Sequence, residues 1–228
     1  MYKHFFKRVL DFLFSFIALI FVLLIFIIVA PIIYFEDKGP AIYVSKRAGK
    51  NGKIFNMYKF RSMKVNAPNL LNPDGSTYNS EKDDRQTRVG KWLRKTSIDE
   101  LPQIFNVFKG DMSFIGPRPV LDIQLQTFTE EERKKLGVLP GITGYSQAYN
   151  RNKMSNHEER MTDAWYAEHI SLGLDIKIFF KTIQTVLKPT NVYRNKEEYT
   201  MSKNKEQLLE NNDNQGVAIG ADNKSDKS

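Results

Sequence analysis

The sequence predicts a mixed α/β fold, mainly helical, in which an N-terminal membrane helix, a β-hairpin and amphipathic interfacial helices surround one small cytosolic domain. Three observations carry that expectation. Residues 12–35 hold no charged side chain, two β-rich runs flank a Gly/Asn turn at residues 49–52, and helix-period segments alternate with Gly/Pro loops up to about residue 190. At 228 residues the chain suffices for one domain with a core, and is too short for two of ordinary size plus a membrane segment. The expected division is 1–36 as membrane-embedded helix, 37–190 as cytosolic domain and 191–228 as disordered polar tail.

Charge and residue usage narrow the partners. The formal charge of +8, from 34 Lys+Arg against 26 Asp+Glu, calls for an anionic partner: nucleic acid, an anionic leaflet or a phosphorylated substrate. The absence of cysteine excludes a disulfide frame, a thiolate zinc site and a Cys nucleophile. The three histidines, His4, His157 and His169, match no metal-ligand spacing.

Phe12 to Phe35 are 24 uncharged positions between Asp11 and Glu36. As helix they extend ~36 Å, enough to cross a hydrocarbon core of ~30 Å. The run is too long for a signal h-region, and Ile28-Val29-Ala30 is followed by Pro31, so the segment is read as retained. Lys3, Lys7 and Arg8 precede it, and Lys38, Lys46, Arg47, Lys50 and Lys53 follow, so positive charge pulls both ends toward the cytoplasm. A re-entrant helix broken at Pro31 satisfies both flanks. A single straight span with basic residues on both sides is the alternative.

Ala41 to Lys46 and Lys53 to Phe60 read as the two strands of a hairpin around Gly49-Lys-Asn-Gly52. Lys59 and Arg61 then fall on one side of a strand, either as a basic edge or as anion ligands. Residues 66–82 have loop composition, and 83–95 predict a short helix presenting Arg88, Lys91, Arg94 and Lys95.

Asp99 and Glu100 follow. Ser97 and Glu100 have capping-box spacing, but Pro102 moves the helix start nearer Asp99, which places both carboxylates at a helix N-terminus. Downstream, Pro117 and Pro119 restrict the backbone around Arg118 and aim its guanidinium fork, as phosphate recognition requires. Residues 120–136 read as a charged helix-like run and 139–144 as a Gly/Pro loop leading to Arg151. A helix over 158–171 carries Trp165 and Tyr166; another over 172–188 has an apolar face interspersed with Lys177, Lys181 and Lys188, suited to the headgroup region or to the core. Beyond about Lys196 the composition is that of a disordered tail.

Five motifs now stand in order: Lys59-Phe-Arg-Ser-Met63, Thr96-Ser-Ile-Asp-Glu-Leu-Pro-Gln103, Gly110-Asp-Met-Ser-Phe-Ile-Gly-Pro-Arg-Pro119, Pro140-Gly-Ile-Thr-Gly144 and Leu174-Asp-Ile-Lys-Ile178. Together, over residues 3–190, the chain resembles the bacterial sugar transferase family, the monotopic phosphoglycosyl transferases. The resemblance implies transfer of a phosphosugar from a UDP-sugar to undecaprenyl phosphate, with UMP released, as the first membrane step of glycan assembly such as capsule or exopolysaccharide. It implies a site at the cytoplasmic face of the bacterial inner (plasma) membrane, a phospholipid surface as partner and no nucleic acid. Asp99 is then the nucleophile, Asp99 and Glu100 lie at Mg²⁺, and Arg94 and Arg118 hold phosphate oxygens, with Lys59, Arg61 and Arg151 as further ligands. Lys7, Arg8 and Pro31 belong to the membrane element. Two places depart from the family pattern. Its Ser-Pro break has no counterpart at Leu23-Leu-Ile25, and Tyr145-Ser-Gln-Ala-Tyr-Asn150 replaces the usual Trp-Ala-Gln and Val-Asn-Gly. The competing class is a non-catalytic basic membrane adaptor binding anionic lipid or nucleic acid; a phosphohydrolase on the same site is a third reading.

Overall fold

The computed structural model describes residues 1–72, 77–80, 82–150 and 154–187, and it bears out the mixed, mainly helical class with a long apolar N-terminal helix and a two-stranded hairpin. The expected tail, 191–228, lies outside the described residues. Helix α1 (Lys7–Asp37) is long and apolar enough to cross a membrane. It does not break at Pro31, as the sequence reading had expected, but runs unbroken to Asp37. The proline removes one backbone donor, and local packing holds the helix across that gap. Val29 and Ile33, on either side, are buried against Phe60 and Leu93.

Polar anchors tie both ends of α1 to the same domain. At the N-terminal end Lys7 pairs with Asp175 at 2.6 Å, Arg8 donates to the carbonyls of Val107 and Phe108 at 2.8 and 3.2 Å, and Asp11 accepts from the Phe114 amide at 3.1 Å. Lys7 and Arg8 thus satisfy protein groups, where their expected role was as membrane flanks. At the C-terminal end Glu36 accepts from the Arg88 and Val89 amides at 2.7 and 3.1 Å, and Asp37 accepts from the Val65 amide at 2.6 Å. The opposite face, with Phe14, Ile17, Phe21, Leu24 and Ile28, is exposed.

Strands β1 (Ile42–Ala48) and β2 (Ile54–Phe60) pair antiparallel from Ile42↔Phe60 to Ala48↔Ile54. Their turn places Asn51 and Gly52 at positive φ, the conformation Asn and Gly tolerate best. Helix α2 (Arg88–Thr96) follows, with Thr87 capping it through Gly90 and Glu36 taking up two more of its free amides. After a short turn, helix α3 (Gln103–Lys109) lies under the hairpin. Its buried Asn106 donates to the Asn56 carbonyl at 2.7 Å and accepts from the Tyr58 amide at 3.1 Å, closing the free edge of β2.

The run from 120 to 136 is not one helix. It divides into a 3₁₀ stretch Asp122–Thr127, the short helix α4 (Glu130–Arg133) and a 3₁₀ turn Lys134–Gly137. Thr129 starts α4 by capping Glu132, so local side-chain bonding interrupts what composition alone reads as continuous. Strand β3 (Ser113–Ile115) pairs in parallel with β4 (Gly141–Thr143), a contact between two loops that the sequence reading did not foresee. Helices α5 (Tyr145–Tyr149), α6 (Asn156–Glu168) and α7 (Leu172–Leu187) complete the domain around Ile115, Ala148, Tyr166 and Ile178. On α7, Ile178 points inward while Ile176, Phe179, Phe180 and Ile183 stay exposed.

The β3–β4 junction allows no side chain at Gly141. A Cβ there would meet the Gly116 amide nitrogen and the Thr143 carbonyl oxygen, both backbone atoms that cannot swing aside. Gly141→Ala should therefore cost about 2 kcal/mol or more, read as a lowered urea midpoint, because the segment carrying Arg118 must shift. An unchanged midpoint would contradict this close approach.

Candidate active site

Asp99 and Glu100 occupy a single 3₁₀ turn, Ile98–Glu100, between α2 and α3. The turn is placed by its apolar neighbours, since Ile98 and Leu101 pack on the cluster formed by Val29, Ile33, Phe60 and Leu93. Ser97 enters it with φ 59°, and Pro102 caps α3 immediately after. The capping box suggested by Ser97 and Glu100 does not form. Glu100 instead meets the Lys59 ammonium at 2.6 Å, a charge-assisted bond stronger than a cap.

The two carboxyl groups differ in proton affinity. Asp99 is 8 % exposed, and its burial, reinforced by the Glu100 charge, pushes its pKa up to about 6 against the pull of Lys59 and Arg94. For Glu100, burial also pushes upward, but Lys59, Arg118 and Arg94 together outweigh it and hold the group below its ordinary range. Adjacent carboxylates driven apart in this way divide their tasks: one stays ionised beside the cations, and the other is a buried group whose charge is costly until a partner arrives.

The structure gathers several predicted ligands around this turn. Lys59 reaches it from β2, and the last turn of α2 brings Arg94, which donates to Asn79 at 2.6 Å and whose field reaches both carboxylates. Arg118 also acts on Glu100; its side chain is half exposed, 3.9 Å from Glu159. Arg61 has other neighbours. Its guanidinium is buried under Gly39, 3.7 Å from Asp37, where it braces the end of α1. Arg151 lies outside the described residues.

Two contributors escaped the sequence reading. Arg47, which enters there only as a flanking charge, feels both Glu100 and Arg118. Asp163 on α6 is fully buried, and its carboxylate accepts from the Lys135 ammonium at 2.8 Å, the Ser146 hydroxyl at 2.7 Å and the Arg118 amide at 3.0 Å. The one advance signal for Asp163 was its place one helical turn before Ala167 on the inner face of α6, which a charged residue rarely occupies without a partner.

Hard carboxylate oxygens on Asp99 and Glu100 fit a small divalent cation of the Mg²⁺ kind. No cluster of three or more His, Cys, Asp or Glu that could hold a metal occurs among the described residues.

A buried carboxylate beside a second one held low, with cations around both, makes a setting suited to an anionic ligand, and it packs against a helix long and apolar enough to cross a membrane. The profile of the bacterial sugar transferase family matches residues 2–189, and the chain belongs to that family. It is 37% identical over 208 residues to an undecaprenyl-phosphate galactose phosphotransferase of Salmonella typhimurium, covering 84% of this chain and 42% of that protein. It is 38% identical over 193 residues to a UDP-N-acetylgalactosamine-undecaprenyl-phosphate N-acetylgalactosaminephosphotransferase of Aeromonas hydrophila, covering 80% and 44%. The exopolysaccharide production protein ExoY of Sinorhizobium fredii is 37% identical over 191 residues, with 79% and 84% covered. The chain thus spans less than half the length of the first two relatives and most of the third.

Proposed function

We propose that this chain transfers a phosphosugar from a UDP-sugar to undecaprenyl phosphate, giving the polyprenyl-diphosphate sugar and UMP. The supporting observation is the environment of Asp99, a buried carboxylate whose charge is disfavoured by its surroundings yet flanked by Lys59 and Arg94. A carboxylate oxygen of Asp99 attacks the phosphorus that bears the sugar, the bond to the UMP oxygen breaks, and UMP departs. A phosphate oxygen of the lipid then attacks the same phosphorus and breaks its bond to Asp99, which returns as carboxylate. Splitting one displacement between two anions into two steps is the gain from covalent catalysis. Arg94, Arg118 and Lys59 hold the phosphate oxygens throughout and offset their charge. Asp99 and Glu100 would hold Mg²⁺, which would supply further neutralisation of the diphosphate.

Both ends of α1 are tied to one domain across ~46 Å of unbroken helix, which supports a helix that rests along one side of the bilayer with its exposed apolar face toward lipid, in place of the expected break at Pro31. The exposed apolar side chains of α7, with Lys177 and Lys181 among them, fit the headgroup layer of the same surface. We place that surface on the cytoplasmic face, where nucleotide sugars arrive. The galactose and N-acetylgalactosamine named in two relatives make their UDP-sugars the first substrates to try.

The test is incubation with a panel of UDP-sugars, with and without undecaprenyl phosphate and Mg²⁺, following UMP and lipid-linked sugar. UMP equal to lipid product supports transfer. Equal UMP release without the lipid makes the protein a phosphohydrolase, and binding without turnover on the whole panel makes it an adaptor.

A further inference from the structure

We propose that Arg47 is a phosphate-binding residue of this site, forming with Arg118 a paired-guanidinium seat for a substrate phosphate across from the Asp99–Glu100 turn. The inference rests on the proposed transferase activity and adds a residue to it. The backbone makes the pairing. The Ala48 amide donates to the Val120 carbonyl at 2.8 Å in an isolated antiparallel bridge, so the end of β1 runs beside the Pro117-Arg118-Pro119 segment. Pro117 is fully buried, and the Arg118 amide is held by Asp163, so neither partner is carried on a loose loop.

The state of the Arg47 side chain points the same way. It is half-buried, and its Nε donates to the Ser45 hydroxyl at 3.1 Å, which fixes the plane of the fork. Among the described residues no carboxylate stands within ion-pairing distance of it and no acceptor engages Nη1 or Nη2. Arg85, by contrast, has Asp83 at 2.6 Å. Burial and the neighbouring Arg118 charge press the Arg47 pKa down to about 10, against the opposing pull of Tyr43, Glu100 and Asp122. Arg118 has Glu159 at 3.9 Å, Arg47 has no carboxylate that close among the described residues, and each guanidinium raises the cost of the other. A dianionic phosphate oxygen set, which can accept two forks at once, removes that cost. Two substrates offer that chemistry, the diphosphate of the nucleotide and the terminal phosphate of the polyprenyl lipid.

Full-length Arg47→Gln and Arg47→Lys proteins in nanodiscs decide the matter. For Arg47→Gln, KM for one phosphate substrate should rise about ten- to a hundredfold, with a smaller change in kcat and an unchanged melting temperature; Arg47→Lys should recover part of the loss. A rise for the UDP-sugar assigns the seat to the nucleotide diphosphate, and a rise for undecaprenyl phosphate assigns it to the lipid. Both KM values within twofold of the wild type would overturn the proposal, as would equal losses in both variants that follow their melting temperatures. Calorimetry with inorganic pyrophosphate separates this inference from the transferase reading. If the wild type transfers nothing, or if Arg47→Gln does not fold, weaker pyrophosphate binding by Arg47→Lys than by the wild type upholds the seat, and equal binding overturns it.

Discussion

An Asp99→Asn protein is expected to lose transfer by roughly a thousandfold or more and to become more stable at the same time. The first effect follows because an amide cannot form the phosphosugar ester, so no adduct accumulates in protein quenched without acceptor. The second follows from linkage. Burial, joined by the Glu100 charge, raises Asp99 from 3.8 to about 6 in the folded chain, so the native state holds this proton more tightly than the unfolded one. The resulting contribution is full below about pH 4 and is lost as pH rises through about 6. Above that, the native protein carries a charge that its surroundings disfavour. The gap corresponds to about 3 kcal/mol, so metal-free Asp99→Asn should gain up to about that much at pH 8 and nothing at pH 4. Urea unfolding at both pH values with a chelator present checks it. A variant no more stable than the wild type at pH 8 would contradict this environment for Asp99, and full transfer activity would remove Asp99 from the chemistry. An adaptor would keep its lipid binding in the same variant.

Asp163→Ala is expected to be the most destabilising exchange at a residue remote from the chemistry. The carboxylate has no contact with solvent and satisfies three donors, one of them the Lys135 ammonium, itself 2 % exposed. Truncation leaves that ammonium buried and uncompensated, which costs about 3–5 kcal/mol. It also frees the Arg118 amide, so the protein that remains folded should bind UDP-sugar more weakly. The two consequences separate in the double variant Lys135→Met, Asp163→Leu. Replacing a buried pair by apolar side chains of similar volume restores most of the stability, whereas the Arg118 tether stays cut and the KM defect persists. A loss below about 1 kcal/mol in Asp163→Ala would mean that Lys135 reaches water or another partner.

Much of the fold could be read from local chemistry. The hairpin declared itself through Asn51 and Gly52, because positive φ is a conformation those residue types tolerate and it needs no distant partner. Helix α7 followed from the spacing of its apolar side chains, and Asp99, Glu100 and Arg118 stood out because their neighbours were unusual for solvated charges. What could not be read was set by contacts between distant segments. Pro31 is helical because Phe60 and Leu93 support the residues on either side of it. The parallel β3–β4 pair arises where two glycine-bearing loops meet, and a three-residue strand has too few positions to show a period. Arg61 had the same signature as Lys59, two residues away, yet one meets Asp37 and the other Glu100. Arg47 looked like any flanking cation until Ala48 met Val120, a pairing across seventy-two positions of chain.

Helix α1 also changes what truncation would mean for this protein. Ile98 and Leu101, on either side of the acidic pair, rest on the same apolar cluster as Val29 and Ile33, and Glu36 caps the helix that carries Arg94. A chain begun after residue 37 would not be a soluble version of the same domain; it would have a hole beneath the Asp99–Glu100 turn and a frayed α2. Exchanging α1 for an unrelated anchor of equal length would keep the protein moored and still remove one wall of its active site.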